Sequence, residues 1–166
     1  MKQRGFTLIE LMVALSLFVI VLGISSSIFI RSLRSQRAII NLISVNDNSS
    51  LAIEQMAREV RTGTNFSANP PDNNQLSFTN ALSKAVIYRL NITSGAIERN
   101  EDGGVFSPIT SANVRVEKLN FILSGAGVDS KQARITVAMR VGSTAALLQN
   151  FYTDVQTTLS PRILDN

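Results

Sequence analysis

The longest pattern in the chain is an apolar run near its beginning. No charged side chain occurs in Leu11–Ile30, and across the 25 residues of Phe6–Ile30 Glu10 is the only ionisable one. As an α-helix, Phe6–Ile30 would be roughly 37 Å long at about 1.5 Å per residue. That length is enough to cross a hydrocarbon core of about 30 Å with some tilt. The pattern predicts a membrane-spanning helix containing one carboxylate that needs a compensating partner.

Beyond this run the apolar positions become periodic. They recur at three- and four-residue steps with Arg and Gln between them, which is typical of an amphipathic helix. The segment Asn-Asp-Asn-Ser-Ser at 46–50 is a weak point, either a solvated turn of helix or a break, and Gly63 marks the expected end. We therefore expect residues 31–62 to continue the helix. Its predicted apolar stripe consists of Leu33, Ile40, Ile43, Ile53, Met56, Ala57 and Val60.

After the helix the pattern changes to the two-residue alternation of β-strands. Thr93-Ser94-Gly95 predicts a turn between two of these strands. In the segment 114–123 the apolar parity shifts between Val116 and Leu119, which predicts a β-bulge near Glu117 and Lys118. The strand residues expected to face the core are Val86, Tyr88, Leu90, Ile92, Ala133, Ile135, Val137, Met139, Val141, Phe151, Val155 and Leu159.

One apolar face per strand is typical of an antiparallel sheet that is covered on one side only. The amphipathic helix is the expected cover. The predicted fold class is therefore α+β, with a long N-terminal helix packed on a small antiparallel β-sheet. The β-rich domain is expected to comprise residues 63–166.

Composition narrows the chemistry that the chain can perform. Sixteen Lys and Arg against 12 Asp and Glu give a net charge of +4 without a basic run, so no nucleic-acid partner is expected. The chain contains neither Cys nor His, which excludes their nucleophiles, bases and usual zinc sites. No nucleophile-elbow or phosphate-loop motif occurs, and Asn-Glu-Asp-Gly-Gly at 100–104 is interpreted as a turn and not a calcium loop. We therefore expect no enzymatic activity, no cofactor and no metal site.

The stretch Gly-Phe-Thr-Leu-Ile-Glu-Leu at residues 5–11 accounts for the unusual carboxylate. It resembles the prepilin motif of type IV pilins and type II secretion pseudopilins. In that family a short basic leader ending in Gly precedes Phe, Thr-Leu-Ile-Glu and a long apolar helix, and every position matches here. The resemblance implies a pilin-like fold, a leader peptide of residues 1–5 and a transmembrane and assembly helix over residues 6–30.

The same resemblance implies how the N-terminus is processed. A prepilin peptidase would cut between Gly5 and Phe6 and then methylate the new amine of Phe6. Glu10 lies four residues further on, so a helix would allow it to pair with that ammonium within the chain. In an assembled filament Glu10 would instead meet the Phe6 amine of a neighbouring subunit and set the axial register. The implied processing residues are Gly5 and Phe6, and the implied assembly residues are Phe6 and Glu10.

Charge alone does not determine how the chain crosses the membrane. Lys2 and Arg4 precede the span, and Arg31, Arg34 and Arg37 follow it as a membrane-flanking helix face. The resemblance implies a single-pass protein of the bacterial inner membrane with its domain on the periplasmic or exterior side, in a pilus or pseudopilus. The partners it implies are the prepilin peptidase, other pilin or pseudopilin subunits, an inner-membrane assembly platform and membrane lipid.

Weaker similarities concern the kind of pilin. Arg58-Glu59-Val60-Arg61 and Tyr88-Arg89-Leu90 resemble a helix end and a strand of minor pseudopilin J and the larger minor pilins. The chain lacks the C-terminal Cys pair of many major pilins, which favours a minor subunit in or at the tip of the filament. It also lacks the mid-helix Pro of many major pilins, which leaves open whether the helix unwinds on assembly. Glu10 argues against the pseudopilin K type, and the missing metal ligands argue against calcium-binding major pseudopilins.

Three alternatives remain open at this point. The first is a single-pass, signal-anchored protein whose exterior β-rich domain binds a partner without polymerising. The second is a secreted protein whose signal peptide is cut near Ser25–Ser27, although the apolar run is longer than a typical signal core. The third is a DNA-uptake pilin, which would need an exposed basic strip that the sequence does not show.

Overall fold

The computed structural model describes Gly5, residues 7–125 and residues 132–162, without the side chain of Leu147. The chain divides into two compact units, Met1–Ile40 and Asn41–Asn166. In chain order the elements are α1 (Leu8–Val60), β1 (Thr64–Ala68), β2 (Gln75–Thr79), β3 (Ala85–Asn91), β4 (Ala96–Glu101), β5 (Ser107–Pro108), β6 (Val114–Ser124), β7 (Arg134–Ser143), a short 3-10 helix (Ala146–Leu148) and β8 (Tyr152–Leu159).

In the first unit α1 exposes its apolar side chains. From Leu8 to Arg31 every described residue is exposed, and α1 is long and apolar enough to cross a membrane. The hydroxyl of Ser16 donates to the Met12 carbonyl at 2.8 Å, and that of Ser27 donates to the Ile24 carbonyl at 2.7 Å. Because these polar groups are satisfied within the helix, they add little cost in a medium without water.

In the second unit one face of α1 packs against the sheets. The buried residues of this face are Val45, Ser49, Ala52, Met56 and Val60, which recur at helical spacing. The predicted stripe was right for Met56 and Val60. Two small residues, Ser49 and Ala52, fill the middle of the face.

Part of the predicted stripe was wrong. Leu33, Ile40 and Ile43 are exposed, and only Ile53 and Ala57 flank the core as half-buried residues. Ile43 does not share the helix face of Val45 and Ser49, so it points away from the strands. Apolar periodicity alone did not distinguish the two faces.

The polar segment 46–50 is continuous helix. Asn48 donates through Nδ2 to the Ser44 carbonyl at 2.8 Å, and the Ser49 hydroxyl donates to the Val45 carbonyl at 2.7 Å. Asn113 donates to the Ser44 hydroxyl at 2.7 Å, and the Ser111 hydroxyl donates to Asn48 Oδ1. The polar residues therefore hold the helix to the loop before β6 instead of breaking it.

The strands confirm the α+β class but form two antiparallel sheets, where a single sheet was expected. β1 to β5 make a five-stranded sheet in chain order, and β6, β7 and β8 make a three-stranded sheet. The amides of Val116 and Phe121 in β6 donate to the loop carbonyls of Gly95 and Asn73, at 2.7 and 2.8 Å. Because β6 bonds to loops and not to a strand of the first sheet, it begins a second one.

Local features of the strands were predicted with mixed success. The β6–β7 register shifts between Val116 and Lys118, which confirms the predicted bulge. The turn over residues 93–95 is confirmed between β3 and β4, with Gly95 at a φ of 67°. The turn at 100–104 is confirmed as well, since the chain reverses there after β4.

Most of the predicted inward strand residues are buried or half-buried, with two exceptions. Ile92 is 82% exposed because it lies in the β3–β4 turn, and Phe151 is 61% exposed because it precedes β8. Both lie just outside a strand, where alternation no longer determines which way a side chain points.

A polar cluster fastens the end of α1 to the first sheet. The Tyr88 hydroxyl donates to Glu59 Oε2 at 2.9 Å, and Arg99 Nε donates to Glu59 Oε1 at 3.0 Å. Arg99 also pairs with Glu101 at 2.9 Å, and Lys84 pairs with Glu101 at 3.2 Å. The cluster joins one helix residue to two adjacent strands, so it fixes the helix on the sheet.

The environment of this cluster shifts its proton affinities. Burial raises the pKa of the Tyr88 hydroxyl well above its ordinary value, and the adjacent Glu59 carboxylate raises it further. Burial opposes the charge of Arg99, but hydrogen bonds to Glu59 and Glu101 outweigh it and leave the Arg99 pKa raised. Hydrogen bonds from Arg99 and Lys84 hold the pKa of Glu101 below its ordinary value. The cluster therefore keeps a neutral Tyr88 and a charged Arg99.

Candidate processing and assembly site

The N-terminus of α1 is closed by a reciprocal pair of side chains. Thr7 precedes the first helical residue, Leu8, and its amide and hydroxyl both donate to Glu10 Oε2 at 2.9 Å. In return the Glu10 amide donates to the Thr7 hydroxyl at 3.3 Å. This arrangement is a capping box, in which two helix-terminal amides that lack intrahelical partners are satisfied.

The capping box changes how Glu10 is accommodated. The prepilin resemblance indicated the Phe6 amine as the partner of this carboxylate, and Thr7 was not predicted. The signal was present as Thr-x-x-Glu directly before an apolar run. A carboxylate in the first turn also interacts favourably with the positive end of the helix dipole. Glu10 therefore has a local partner in the unprocessed chain.

Of the two predicted processing residues, Gly5 lies among the described residues. Gly5 is exposed, and no heavy atom of a described residue beyond its two chain neighbours lies within 4 Å of the position that a Cβ would occupy there. An unhindered, exposed glycine is compatible with access by a peptidase. Phe6 lies outside the described residues, so its pairing with Glu10 stays a prediction.

The structure also brings together the two segments that were compared with minor pseudopilins. Glu59, at the helix end, and Tyr88, on β3, meet in the cluster described above. Their contact joins the helix to the first sheet. Among the residues of the described ranges, no three Asp or Glu side chains come together as metal ligands would.

These observations define the class of the protein. A long apolar N-terminal helix continues into a helix that packs on antiparallel sheets, which is a pilin-like α+β architecture. The exposed apolar segment and the capped first turn suit a membrane-anchored subunit.

Comparison with known proteins narrows this class. Residues 1–26 match the family described as the prokaryotic N-terminal methylation motif. The match supports a processed, structural subunit of the type IV pilin or pseudopilin kind, which implies maturation by a prepilin peptidase and assembly with other pilins. No curated protein and no solved structure matches the chain significantly.

Proposed function

We propose that the protein is a minor pilin or minor pseudopilin, incorporated in or at the tip of a type IV pilus or type II secretion pseudopilus. The observation that carries the proposal is the methylation motif over residues 1–26, with Glu10 in the first turn of an exposed apolar helix. Residues 1–5 are the leader, 6–30 the assembly helix, 31–62 its continuation and 63–166 the β-rich domain, which faces the periplasm or exterior.

Processing creates the assembly contact. Cleavage after Gly5 places a methylated ammonium on Phe6, one residue before the helix cap. In the membrane Glu10 keeps the two hydrogen bonds from Thr7. In a filament it gains the Phe6 ammonium of a neighbouring subunit, and this charged pair favours one axial register over others.

The rest of the apolar helix supplies packing without a large hydrophobic gain. Moving apolar surface from lipid to sister helices changes its solvent little, so close packing must hold the bundle together. Ala14, Ser16 and Gly23 are small residues that permit close helix approach. Force for assembly comes from a separate cytoplasmic ATPase that acts through the inner-membrane platform.

The first experiment is the mass of the N-terminal peptide of the protein from cells with and without the prepilin peptidase. A peptide that begins at methylated Phe6, and that is absent without the peptidase, is the expected result. An intact Met1 in both strains would refute processing and favour a signal-anchored, non-polymerising protein. Cleavage near Ser27 would instead indicate a secreted protein.

A second experiment separates processing from assembly. Glu10→Ala should be cleaved and methylated normally but should fail to enter filaments, because the charged pair is lost. Thr7→Val keeps Glu10 but removes its hydroxyl donor, so it tests the capping box separately and should impair assembly less. Normal filament incorporation of Glu10→Ala would refute the assembly role.

A further inference from the structure

The four edges of the two sheets differ in how they are protected against pairing with another strand. β1 has only five residues and an irregular register between Thr64 and Ser67. β5 has two residues, one of them Pro108. β6 carries a bulge, and two of its amides donate to loop carbonyls. Short length, bulges, proline and covering loops are the devices by which natural sheets avoid edge-to-edge association.

Within residues 5, 7–125 and 132–162, β8 has none of these devices. Among these described residues it pairs with β7 on one side only, in an unbroken register from Tyr152 to Leu159, and the strand contains no Pro, Gly or Lys. Its single charged side chain, Asp154, accepts two hydrogen bonds from Arg140, at 2.7 and 3.0 Å. The edge is therefore long, regular and without an uncompensated charge.

The faces of β8 restrict which strand could pair with it. Val155 and Thr157 are half-buried and Leu159 is buried, whereas Asp154 and Gln156 on the other face are exposed. A strand that extends the sheet must place its inward residues opposite these inward residues, because a slip of one residue reverses the faces. Two copies of β8 can pair antiparallel so that one central residue lies opposite the same residue of the second copy. Residues at equal distances on either side of the centre then lie opposite one another, so inward residues meet inward residues.

A register centred on Val155 suits the side chains best. Val155 lies opposite Val155 of the second copy, Thr153 opposite Thr157, and Asp154 opposite the neutral Gln156. Pairs of β-branched residues, such as Val–Val and Thr–Thr, stabilise sheets when they lie directly opposite one another. Like charges directly opposite one another destabilise sheets. The neighbouring register centred on Asp154 would bring two carboxylates together and is disfavoured.

We infer that β8 is the pairing edge of a symmetric dimer of this chain, in which two three-stranded sheets form one six-stranded antiparallel sheet. The inference depends on the second unit alone and not on processing or filament assembly. An isologous contact of this kind is self-complementary, so it closes after two copies.

Cysteine cross-linking of the full chain in membranes tests the inference, because the chain has no cysteine of its own. Directly opposite residues have Cα atoms about 4.5 to 5.5 Å apart, within the range of a disulfide. Val155→Cys should therefore form a disulfide-linked dimer on mild oxidation. Ile122→Cys, on the exposed face of β6 in the same sheet, is the matched control and should not.

Two substitutions at one position test the register. Gln156→Lys would place a cation opposite Asp154 of the second copy and should increase dimer formation. Gln156→Glu would place a second carboxylate there and should decrease it, each change being roughly 2- to 10-fold at low salt. If Val155→Cys disturbs the fold, a mixture of chains carrying Thr153→Cys and Thr157→Cys provides the same test.

Three results would overturn the inference. The first is cross-linking of the Val155→Cys variant no greater than that of the Ile122→Cys variant. The second is an equal effect of Gln156→Lys and Gln156→Glu. The third is capture of a different protein by the Val155→Cys variant in place of a second copy, which would show that β8 pairs with another strand.

Discussion

The contact of Glu59 with the first sheet offers the sharpest test of how α1 is held. Glu59→Ala removes the acceptor for Tyr88 and one of two acceptors for Arg99, which keeps Glu101. Hydrogen bonds to charged groups contribute about 1.5 to 3 kcal/mol each. The side chains of Glu59 and Arg99 remain 24% and 21% exposed, so water compensates part of the loss.

The free energy of unfolding lost in Glu59→Ala should lie between the values for an exposed and a fully buried ion pair. Exposed ion pairs contribute about 0 to 1 kcal/mol, and breaking a fully buried pair costs about 3 to 5 kcal/mol. We expect Glu59→Ala to lower the free energy of unfolding by about 2 to 4 kcal/mol. For a domain of this size, the midpoint temperature of thermal unfolding should fall by roughly 5 to 12 °C.

Glu54→Ala is the matched control. Glu54 lies on the same helix and pairs with Arg58 at 3.0 Å, but the two side chains are 65% and 77% exposed. Its loss should cost less than about 1 kcal/mol. Both variants and the parent would be unfolded in detergent with urea and followed by the β-sheet circular dichroism signal. Equal stability of the two variants would refute the argument that burial makes the Glu59 contacts strong.

Three further predictions concern pH and packing. The folded protein holds the Tyr88 proton more tightly than the unfolded chain, so stability should fall as pH rises above about 10; urea titrations at pH 9 to 11 should show a shallower fall in Tyr88→Phe. A hydrogen bond from Asn91 depresses the pKa of Glu98, so stability should fall with acid below its ordinary pKa of 4.5, and Glu98→Gln should flatten that fall in a pH series. A methyl group on Gly63 would lie 2.6 Å from the Phe78 ring, so Gly63→Ala should cost about 1 to 3 kcal/mol in urea unfolding; an unchanged midpoint would contradict the close packing.

Sequence patterns over a few residues predicted those parts of the fold that neighbouring residues determine. The parity shift between Val116 and Leu119 revealed the bulge, because a two-residue period can be repaired only by an extra residue. Thr7 and Glu10 were equally readable as a capping box, since all the required residues are adjacent in sequence.

Other features depend on distant residues and carried no local signal. Ser49 and Ala52 belong to the buried face of α1, although neither would be chosen by hydropathy. Tyr88 meets Glu59 across 29 residues. The division into two sheets follows from where β6 finds hydrogen-bond partners. Gly63 was expected as a helix stop, yet the helix ends at Val60, and the glycine is required by the Phe78 ring.

The attachment of α1 to its sheets has a mechanical consequence. The Glu59 cluster and the hydrogen bond from the Arg162 amide to the Arg61 carbonyl, at 2.9 Å, all lie at the last turn of the helix. The bonds from Ser111 and Asn113 to Asn48 and Ser44 hold the helix at a second place, further from its end. A pull along α1 therefore reaches the strands at both places as well as through the short connection after Val60. Because these attachments share the load in parallel, we expect several bonds to break together before the helix separates from the strands.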